Sequence, residues 1–107
     1  MPRTKFQTLT EQMYYILLCL SEECYGMDIM DQVPAMTDGR VKVGPGTLYN
    51  LLEQFSGAEI IRETKSEGRR RCYILTNKGR ELLTSEYNRL NRLTADYERL
   101  MRKEDAR

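Results

Sequence analysis

The sequence predicts a small α+β protein, mostly α-helical, in which three short helices, a very short strand and a β-hairpin precede one long final helix. Apolar residues recur at three- and four-residue steps in several segments, which is typical of helices packed on one face. Two short segments rich in β-formers are separated by a turn containing glycine, which predicts a hairpin. With 107 residues and no run of roughly eighteen apolar residues, we expect one compact unit and no membrane span.

The first helix is predicted from Thr10 to about Ser21, because this segment is apolar nearly all round. Thr8, with Glu11 three residues on, and Thr10 are both suitable N-caps. A helix that is apolar on most sides of so small a domain needs a second covering surface. Another subunit can provide it.

A second helix is predicted to follow Tyr25-Gly26, and Pro34 should end or kink it, since an interior proline costs about 3 kcal/mol. The alternation in Val41-Lys42-Val43 predicts a very short strand, stopped by Gly44-Pro45-Gly46.

The third helix is predicted to begin at Pro45 or Thr47 and to run to about Ser56, with Gly57 as its C-terminal cap. Four residues form its inner face: Leu48, Leu51, Leu52 and Phe55. The outer side keeps Thr47, Tyr49, Asn50, Glu53 and Gln54.

The hairpin is predicted from strands at 60–65 and 69–75, joined by Ser66-Glu67-Gly68. Its tip is basic and carries Lys65, Arg69, Arg70 and Arg71. Thr76 is predicted to cap the final helix, which would extend about 39 Å to Met101 at ~1.5 Å per residue.

No domain of this size can cover the apolar stripe of such a helix, so we expect that stripe to pack against a second copy of the chain. The predicted dimerisation residues lie on the first and last helices: Tyr14, Leu17, Leu18, Leu83, Tyr87, Leu90, Leu93, Tyr97, Leu100 and Met101.

Basic charge is concentrated in the middle of the chain, although the net charge is only +1. Residues 40–75 carry seven basic and four acidic side chains, whereas residues 1–39 carry two basic and six acidic ones. A local basic stripe on a near-neutral protein suits a localised contact with double-stranded DNA.

The element order with its basic hairpin predicts a winged helix-turn-helix. The third helix would enter the major groove and the hairpin would lie along the phosphates. Residues 1–75 would form this DNA-binding head, and residues 76–107 a dimerisation helix belonging to the same compact unit. The resulting two-fold axis would place two heads on a palindromic operator.

Three stretches, in the order found in the family, resemble the PadR-like transcriptional regulators. They are Leu9-Thr10-Glu11 with the apolar run 13–18, the motif GxxxxGPGTLY at residues 39–49, and the wing with YxLTxKG at residues 68–79. The similarity spans residues 9 to about 80. One helix after the wing resembles the short subfamily.

The resemblance implies a dimeric transcriptional regulator, commonly a repressor released by a small molecule. By position, the residues facing DNA would be Lys42, Gly44, Pro45, Thr47, Leu48, Tyr49, Asn50, Lys65, Arg69 and Arg70. Two departures from the family pattern are Glu53-Gln54, where basic residues are common, and Ala58-Glu59-Ile60-Ile61 in place of Glu-Gly-Leu-Ile.

An effector pocket is expected between the first helix and the partner's last helix, where two apolar surfaces would meet. Its walls would come from Met13, Tyr14, Tyr15, Tyr97 and Met101. We expect no cofactor and no metal, because the chain has three cysteines and no histidine, fewer than the four ligands of a usual zinc site. Cys19, Cys24 and Cys72 are best interpreted as buried small residues of a reduced cytoplasmic protein.

Two other function classes compete with this prediction. A protein-binding adaptor or antirepressor is favoured by Glu53, Glu59, Glu63 and Glu67 near the predicted DNA-facing surface. An enzyme is disfavoured, because the chain has no histidine, no phosphate-binding glycine loop and no nucleophile motif.

Overall fold

The computed structural model of the protein describes residue 6 and residues 8–105. Residues 1–5, 7, 106 and 107 of the two predicted units lie outside this range. In chain order the described elements are α1 (Glu11–Cys19), β1 (Cys24–Tyr25), α2 (Gly26–Met36), α3 (Pro45–Gly57), β2 (Ile61–Glu67), β3 (Arg70–Leu75) and α4 (Asn77–Asp105). The mostly helical α+β class with a long C-terminal helix is therefore confirmed.

The first helix is capped by Thr10, one of the two threonines that the sequence left open. The Met13 amide donates to Thr10 Oγ1 at 3.2 Å, which satisfies one of the free amides of the first turn. Helix α1 ends at Cys19, two residues before the predicted boundary.

The sheet has three antiparallel strands in the order β1-β3-β2. The strand outside the hairpin is β1, Cys24–Tyr25, which pairs with Tyr73 and Cys72 of β3. The strand predicted at 41–43 is wrong: Val41 and Val43 are buried as expected from their alternation, but they belong to a loop. The carbonyl of Lys42 between them accepts from the Gln12 side chain at 2.8 Å.

Two helix ends differ from the prediction. Helix α2 continues two residues past Pro34, which therefore lies within its last turn. Helix α3 begins at Pro45 but includes Gly57, and Ala58 is its C-cap. The left-handed backbone conformation after α3 is adopted by Glu59, at φ 62°, so the predicted glycine cap is wrong.

The hairpin turn lies at Gly68 and Arg69 instead of at the predicted residues 66–68, and Gly68 supplies the positive φ of 61° that the turn needs. Thr64 is the extra residue of a register shift between Glu63 and Lys65. Arg69 consequently occupies the turn instead of the strand.

The core lies between α1, α2, α3 and the inner face of the sheet. Its fully buried side chains include Ile16, Leu17, Leu20, Ile29, Val33, Leu48, Leu52, Phe55, Ile60 and Ile61. Helix α4 begins against this core, where Gly79 fits so closely that an added Cβ would lie 2.1 Å from the Ile60 carbonyl oxygen. Thr76 caps α4 as predicted, since its Oγ1 accepts from the Gly79 amide at 3.1 Å.

Candidate nucleic-acid interface

Helix α3 separates an inner face from an outer one, as its sequence pattern predicts. Leu48, Leu51, Leu52 and Phe55 are buried in the core. On the opposite side Thr47, Tyr49 and Asn50 are exposed. The polar and aromatic side chains of the first two turns are therefore available to a partner, and the DNA major groove is wide enough to admit the helix that carries them.

The N-terminus of α3 is exposed and has no side-chain cap among the described residues. Pro45 occupies the first position, where its missing N–H is of no consequence, and Gly44 before it is extended at φ −81° and ψ 165°. The amides of Gly46 and Thr47 have no acceptor one turn earlier within the helix, as for any helix start. Such amides, together with the helix dipole, favour an anion such as a phosphate.

Lys42 is exposed in the loop before α3, between the buried Val41 and Val43. The two valines fix the loop to the core and leave the lysine pointing outward. This places one cation beside the first turn of α3.

The basic side chains of the wing differ in their surroundings. Lys65 lies 3.9 Å from the Glu23 carboxylate, and Arg71 lies 3.7 Å from Glu63. The Arg70 guanidinium carbon is 4.1 Å from the centre of the Tyr25 ring. Within the described part of the chain, Arg69 at the turn forms no hydrogen bond or ion pair, which leaves it the most available of the predicted phosphate contacts.

Tyr25 is a residue whose role the sequence did not indicate. Its ring lies under Arg70 and is also 5.8 Å from the Lys65 ammonium group. A cation over an aromatic face is attracted by about 0.5–1 kcal/mol when exposed. Tyr25 therefore orients two wing cations, and its pairing with Cys72 in the sheet explains why it lies there.

An open groove of about 1190 Å³ separates α3 from the wing. Tyr49, Glu53 and Ser56 line its helix side, and Arg62, Glu63 and Arg69 to Arg71 line its strand side. The groove thus carries charges of both signs, with acids on both its helix side and its strand side.

Leu48 was predicted to face DNA, and its burial corrects this prediction. Its side chain is fully buried beneath α3, so it supports the helix and is unable to touch a nucleic acid. Leu17, predicted on the dimer surface, is likewise fully buried in the core of its own chain. The periodic pattern had already placed Leu48 on the inner face of α3, and only its position in the family motif suggested a DNA contact. For Leu17, the apolar run of α1 did not show which surface would cover it.

The remaining predicted dimerisation residues, on α1 and α4, fall into two groups by exposure. Tyr14, Leu18 and Leu83 are half-buried near the core. Beyond them the apolar side chains are uncovered in the single chain: Tyr87, Leu90, Leu93, Tyr97, Leu100 and Met101. Tyr97 is the most exposed of them at 66%, and a contiguous exposed apolar stripe of this kind is typical of an interaction surface.

The predicted effector walls are not brought together within one chain. Met13, Tyr14 and Tyr15 are half-buried on α1, where the two tyrosine rings meet edge to face at 5.8 Å. Tyr97 and Met101 lie about 21 Å or more along α4 from its contact with α1 near Leu83, at ~1.5 Å per residue. A pocket with all five walls needs a second copy.

The cysteines are buried and unpaired. Burial raises the pKa of the Cys19 thiol to about 11 and also raises the pKa of Cys24, so neither forms a reactive thiolate readily at neutral pH. Among the described residues no three His, Cys, Asp or Glu side chains are grouped so as to hold a metal ion.

Glu86 is a second residue that the sequence analysis missed. Its side chain is 2% exposed and accepts a hydrogen bond from the Leu9 amide at 2.6 Å. It also accepts from Nε and Nη2 of Arg89 at 2.6 and 2.9 Å. These hydrogen bonds, with that from Arg89 first, hold the pKa of the Glu86 carboxyl below its ordinary value although burial opposes this. An acid three residues after Leu83 on an apolar face is the pattern that could have found it.

A model of the transcriptional regulator PadR-like family matches residues 16–85, about two thirds of the chain, from α1 through the first third of α4. The chain belongs to the transcriptional regulator PadR-like family. As a PadR-like protein it is a DNA-binding transcription regulator and not an enzyme.

Solved structures agree with this assignment. RosR of H. salinarum superposes with a TM-score of 0.70 at 25% identity, covering 94% of this chain and 92% of that one. A PadR-like transcription factor of Bacteroides fragilis gives 0.68 at 27% identity, covering 81% and 86%. A transcriptional regulator of Clostridium thermocellum, 20% identical, has the same fold with a TM-score of 0.69 over 80% and 88%.

One curated relative is an uncharacterised 37.1 kDa protein of a Streptomyces fradiae transposon, 38% identical over 53 residues. The match covers 50% of this PadR-like chain and only 15% of that larger protein.

None of the described helices is both long enough and apolar enough to span a bilayer.

Proposed function

We propose that this PadR-like regulator is a homodimeric cytoplasmic repressor that binds a palindromic operator through α3 and the wing and is released by a small molecule. The observation that carries the proposal is the exposed start of α3, with Lys42 on one side and Arg69 across the groove. In this arrangement Tyr49, Asn50 and Thr47 contact base edges, and the α3 amides with Gly44 and Pro45 approach a phosphate.

The wing supplies affinity more than sequence discrimination, because its cations meet the phosphate backbone. Arg69 contacts a phosphate directly. Lys65 and Arg70 do so from positions set by Glu23 and Tyr25. Each phosphate contact contributes about one unit to the slope of log affinity against log salt.

The two-fold axis comes from α4. Residues 76–107 form the dimerisation helix and residues 1–75 the head, within one compact unit. The uncovered side chains from Tyr87 to Met101 support this division, since a second copy of the same stripe would remove them from water.

The effector site is formed by Met13, Tyr14 and Tyr15 of one chain and by Tyr97 and Met101 of its partner. Aromatic and methionine side chains suit a flat apolar ligand, because they offer a large adaptable surface.

The test uses a duplex selected by the wild-type protein from a random-sequence library, compared with a scrambled duplex. Arg69→Ala with Arg70→Ala should weaken binding to both duplexes and lower the salt slope by about 2. Tyr49→Ala or Asn50→Ala should weaken binding to the selected duplex more than to the scrambled one. Arg92→Ala, an exposed arginine of α4, is the matched control and should leave both affinities unchanged.

A second candidate, a protein-binding adaptor, is favoured by Glu53, Glu59 and Glu63, which line the groove between α3 and the wing. These acids would repel a phosphate backbone lying deep in the groove. An absence of any duplex shift at low salt would favour the adaptor and would contradict the repressor.

A further inference from the structure

Arg40 lies in the loop between α2 and α3, and its guanidinium is held by two residues of α1. It forms an ion pair with the Glu11 carboxylate through Nη1, and its Nη2 donates to the Tyr15 hydroxyl at 3.0 Å. The guanidinium carbon is 5.9 Å from the centre of the Tyr15 ring. One arginine thus joins the surface of α1 to the loop that leads into α3.

A second contact holds the same loop two residues later. Gln12 Nε2, next to Glu11 on α1, donates to the backbone carbonyl of Lys42 at 2.8 Å. Between these two contacts the Val41 side chain is buried, and its amide donates to Thr37 Oγ1 at 3.1 Å. The backbone from Arg40 to Lys42 is therefore fixed on both sides.

The loop is short and turns sharply before it reaches α3. Asp38 and Gly39 have positive φ angles of 52° and 77°, so the chain reverses sharply before Arg40. After Lys42 only Val43 and Gly44 remain before α3 begins at Pro45. A shift of Arg40 therefore moves Lys42 and the start of α3.

We infer that Arg40, held by Glu11 and Tyr15 and assisted by the Gln12–Lys42 contact, is a positioning residue that sets Lys42 and the N-terminus of α3 for DNA. We call this set of contacts the Arg40 clamp. The inference rests on the proposed function. It assigns to α1, whose apolar side belongs to the core, a polar edge that acts on the DNA-facing surface.

The clamp is not a device for global stability. The Arg40 and Glu11 side chains are 57% and 61% exposed, and exposed ion pairs contribute little to unfolding free energy. Loss of the clamp should weaken DNA binding, because binding depends on where Lys42 and the start of α3 lie to within a few tenths of an ångström. It should leave the midpoint of thermal unfolding nearly unchanged.

A direct phosphate contact by Arg40 would have the opposite signature. In that case Glu11 would compete with the phosphate, and removing its charge would strengthen DNA binding. In the clamp Glu11 holds Arg40 in place, and removing its charge weakens binding.

The experiment measures the affinity of Glu11→Gln, Arg40→Gln and the exchanged variant carrying both Glu11→Arg and Arg40→Glu for the duplex selected by the wild-type protein. Glu81→Gln, an exposed acid of α4, controls for the lost negative charge. We expect Glu11→Gln to bind about three- to fivefold more weakly than Glu81→Gln. The exchanged variant should recover most of the loss seen in Arg40→Gln.

A second measurement reports on the clamp without DNA. Amide hydrogen exchange at Val41 should be faster in Glu11→Gln than in wild type, with equal thermal midpoints. Tighter DNA binding by Glu11→Gln, or no recovery in the exchanged variant, would overturn the clamp in favour of a direct contact. Unchanged affinity and unchanged exchange would remove the clamp alone, whereas a wild-type protein that binds no duplex would instead defeat the proposed function.

Discussion

The two halves of α4 have the same kind of sequence and opposite surroundings. In the first half, Gly79 lies against the Ile60 carbonyl, the Lys78 ammonium donates to the Ala58 carbonyl at 2.8 Å, and Glu86 is buried. From Leu90 onward every described side chain is exposed. Both halves nevertheless carry apolar residues on one continuous face: the head of the same chain covers its first part, and we propose that a second copy covers the rest.

Two similar ion pairs, one in each half of α4, show how the surroundings of the halves differ. Glu86–Arg89 and Asp96–Arg99 are both carboxylate–arginine pairs three residues apart on α4. The Glu86 side chain is 2% exposed, whereas Asp96 and Arg99 are 55% and 68% exposed. Local sequence is nearly the same in the two pairs, and tertiary surroundings decide what each contributes.

The largest expected effect comes from a charge in the second half of the stripe. In the proposed dimer, Leu93→Asp would place one buried carboxylate from each chain in the interface. Losing about 1.5–3 kcal/mol of leucine burial per chain should raise the dimer dissociation constant by roughly a hundredfold or more. Sedimentation across a concentration series measures this constant directly.

Ala95→Asp is the matched control, because position 95 lies about 200° around the helix from Leu93 at ~100° per residue. It should leave the dimer intact. A wild-type monomer at micromolar concentration, or equal effects of the two aspartates, would show that the stripe has no second copy on it.

The next effect concerns the first half of α4. Glu86→Gln removes the charge that Arg89 and the Leu9 amide satisfy, and it should lower the free energy of unfolding by about 1–3 kcal/mol, less than a fully buried pair because Arg89 is partly exposed. Urea unfolding at neutral pH, with the protein concentration held fixed, gives this value. A stability equal to that of wild type would mean that Glu86 is buried without contributing.

The difference in unfolding free energy between wild type and Glu86→Gln should also depend on pH. Because the pKa of Glu86 is lowered in the folded protein below its ordinary 4.5, its stabilisation is complete above that value and is lost as the pH falls through the lowered pKa. The stability gap between wild type and Glu86→Gln should therefore be full at neutral pH and should narrow in acid.

The sequence predicted the features that depend on residues close together in the chain, and it missed those that depend on residues far apart. Helical periodicity, the glycine turn at Gly68 and the capping role of Thr76 are local, and these predictions are confirmed. The two-residue strand at Cys24 is too short to show alternation, and it exists because β3 pairs with it. Burial of Glu86 depends on an amide 77 positions earlier in the chain, which no window along the sequence contains.

The candidate interface shows the same limit. The outer face of α3 was predictable from the burial pattern of Leu51 and Phe55 on the other side. The stacking of Arg70 on Tyr25 was not, since only the strand pairing brings these residues together. Leu48 shows the reverse error: its position within a family motif suggested a DNA contact, and the helical period places it in the core.

The smallest expected effect sharpens the comparison between the two halves. Asp96→Asn breaks the exposed counterpart of the Glu86 pair, whose atoms are 2.9 Å apart. Exposed pairs of this spacing contribute about 0.3–0.5 kcal/mol, because water already solvates both charges. Urea unfolding of Asp96→Asn should therefore differ from wild type by less than about 0.5 kcal/mol, and the difference should vanish in high salt. A loss as large as that of Glu86→Gln would mean that the partner's helix buries Asp96, and the surface covered in the dimer would then extend around α4 beyond the apolar stripe.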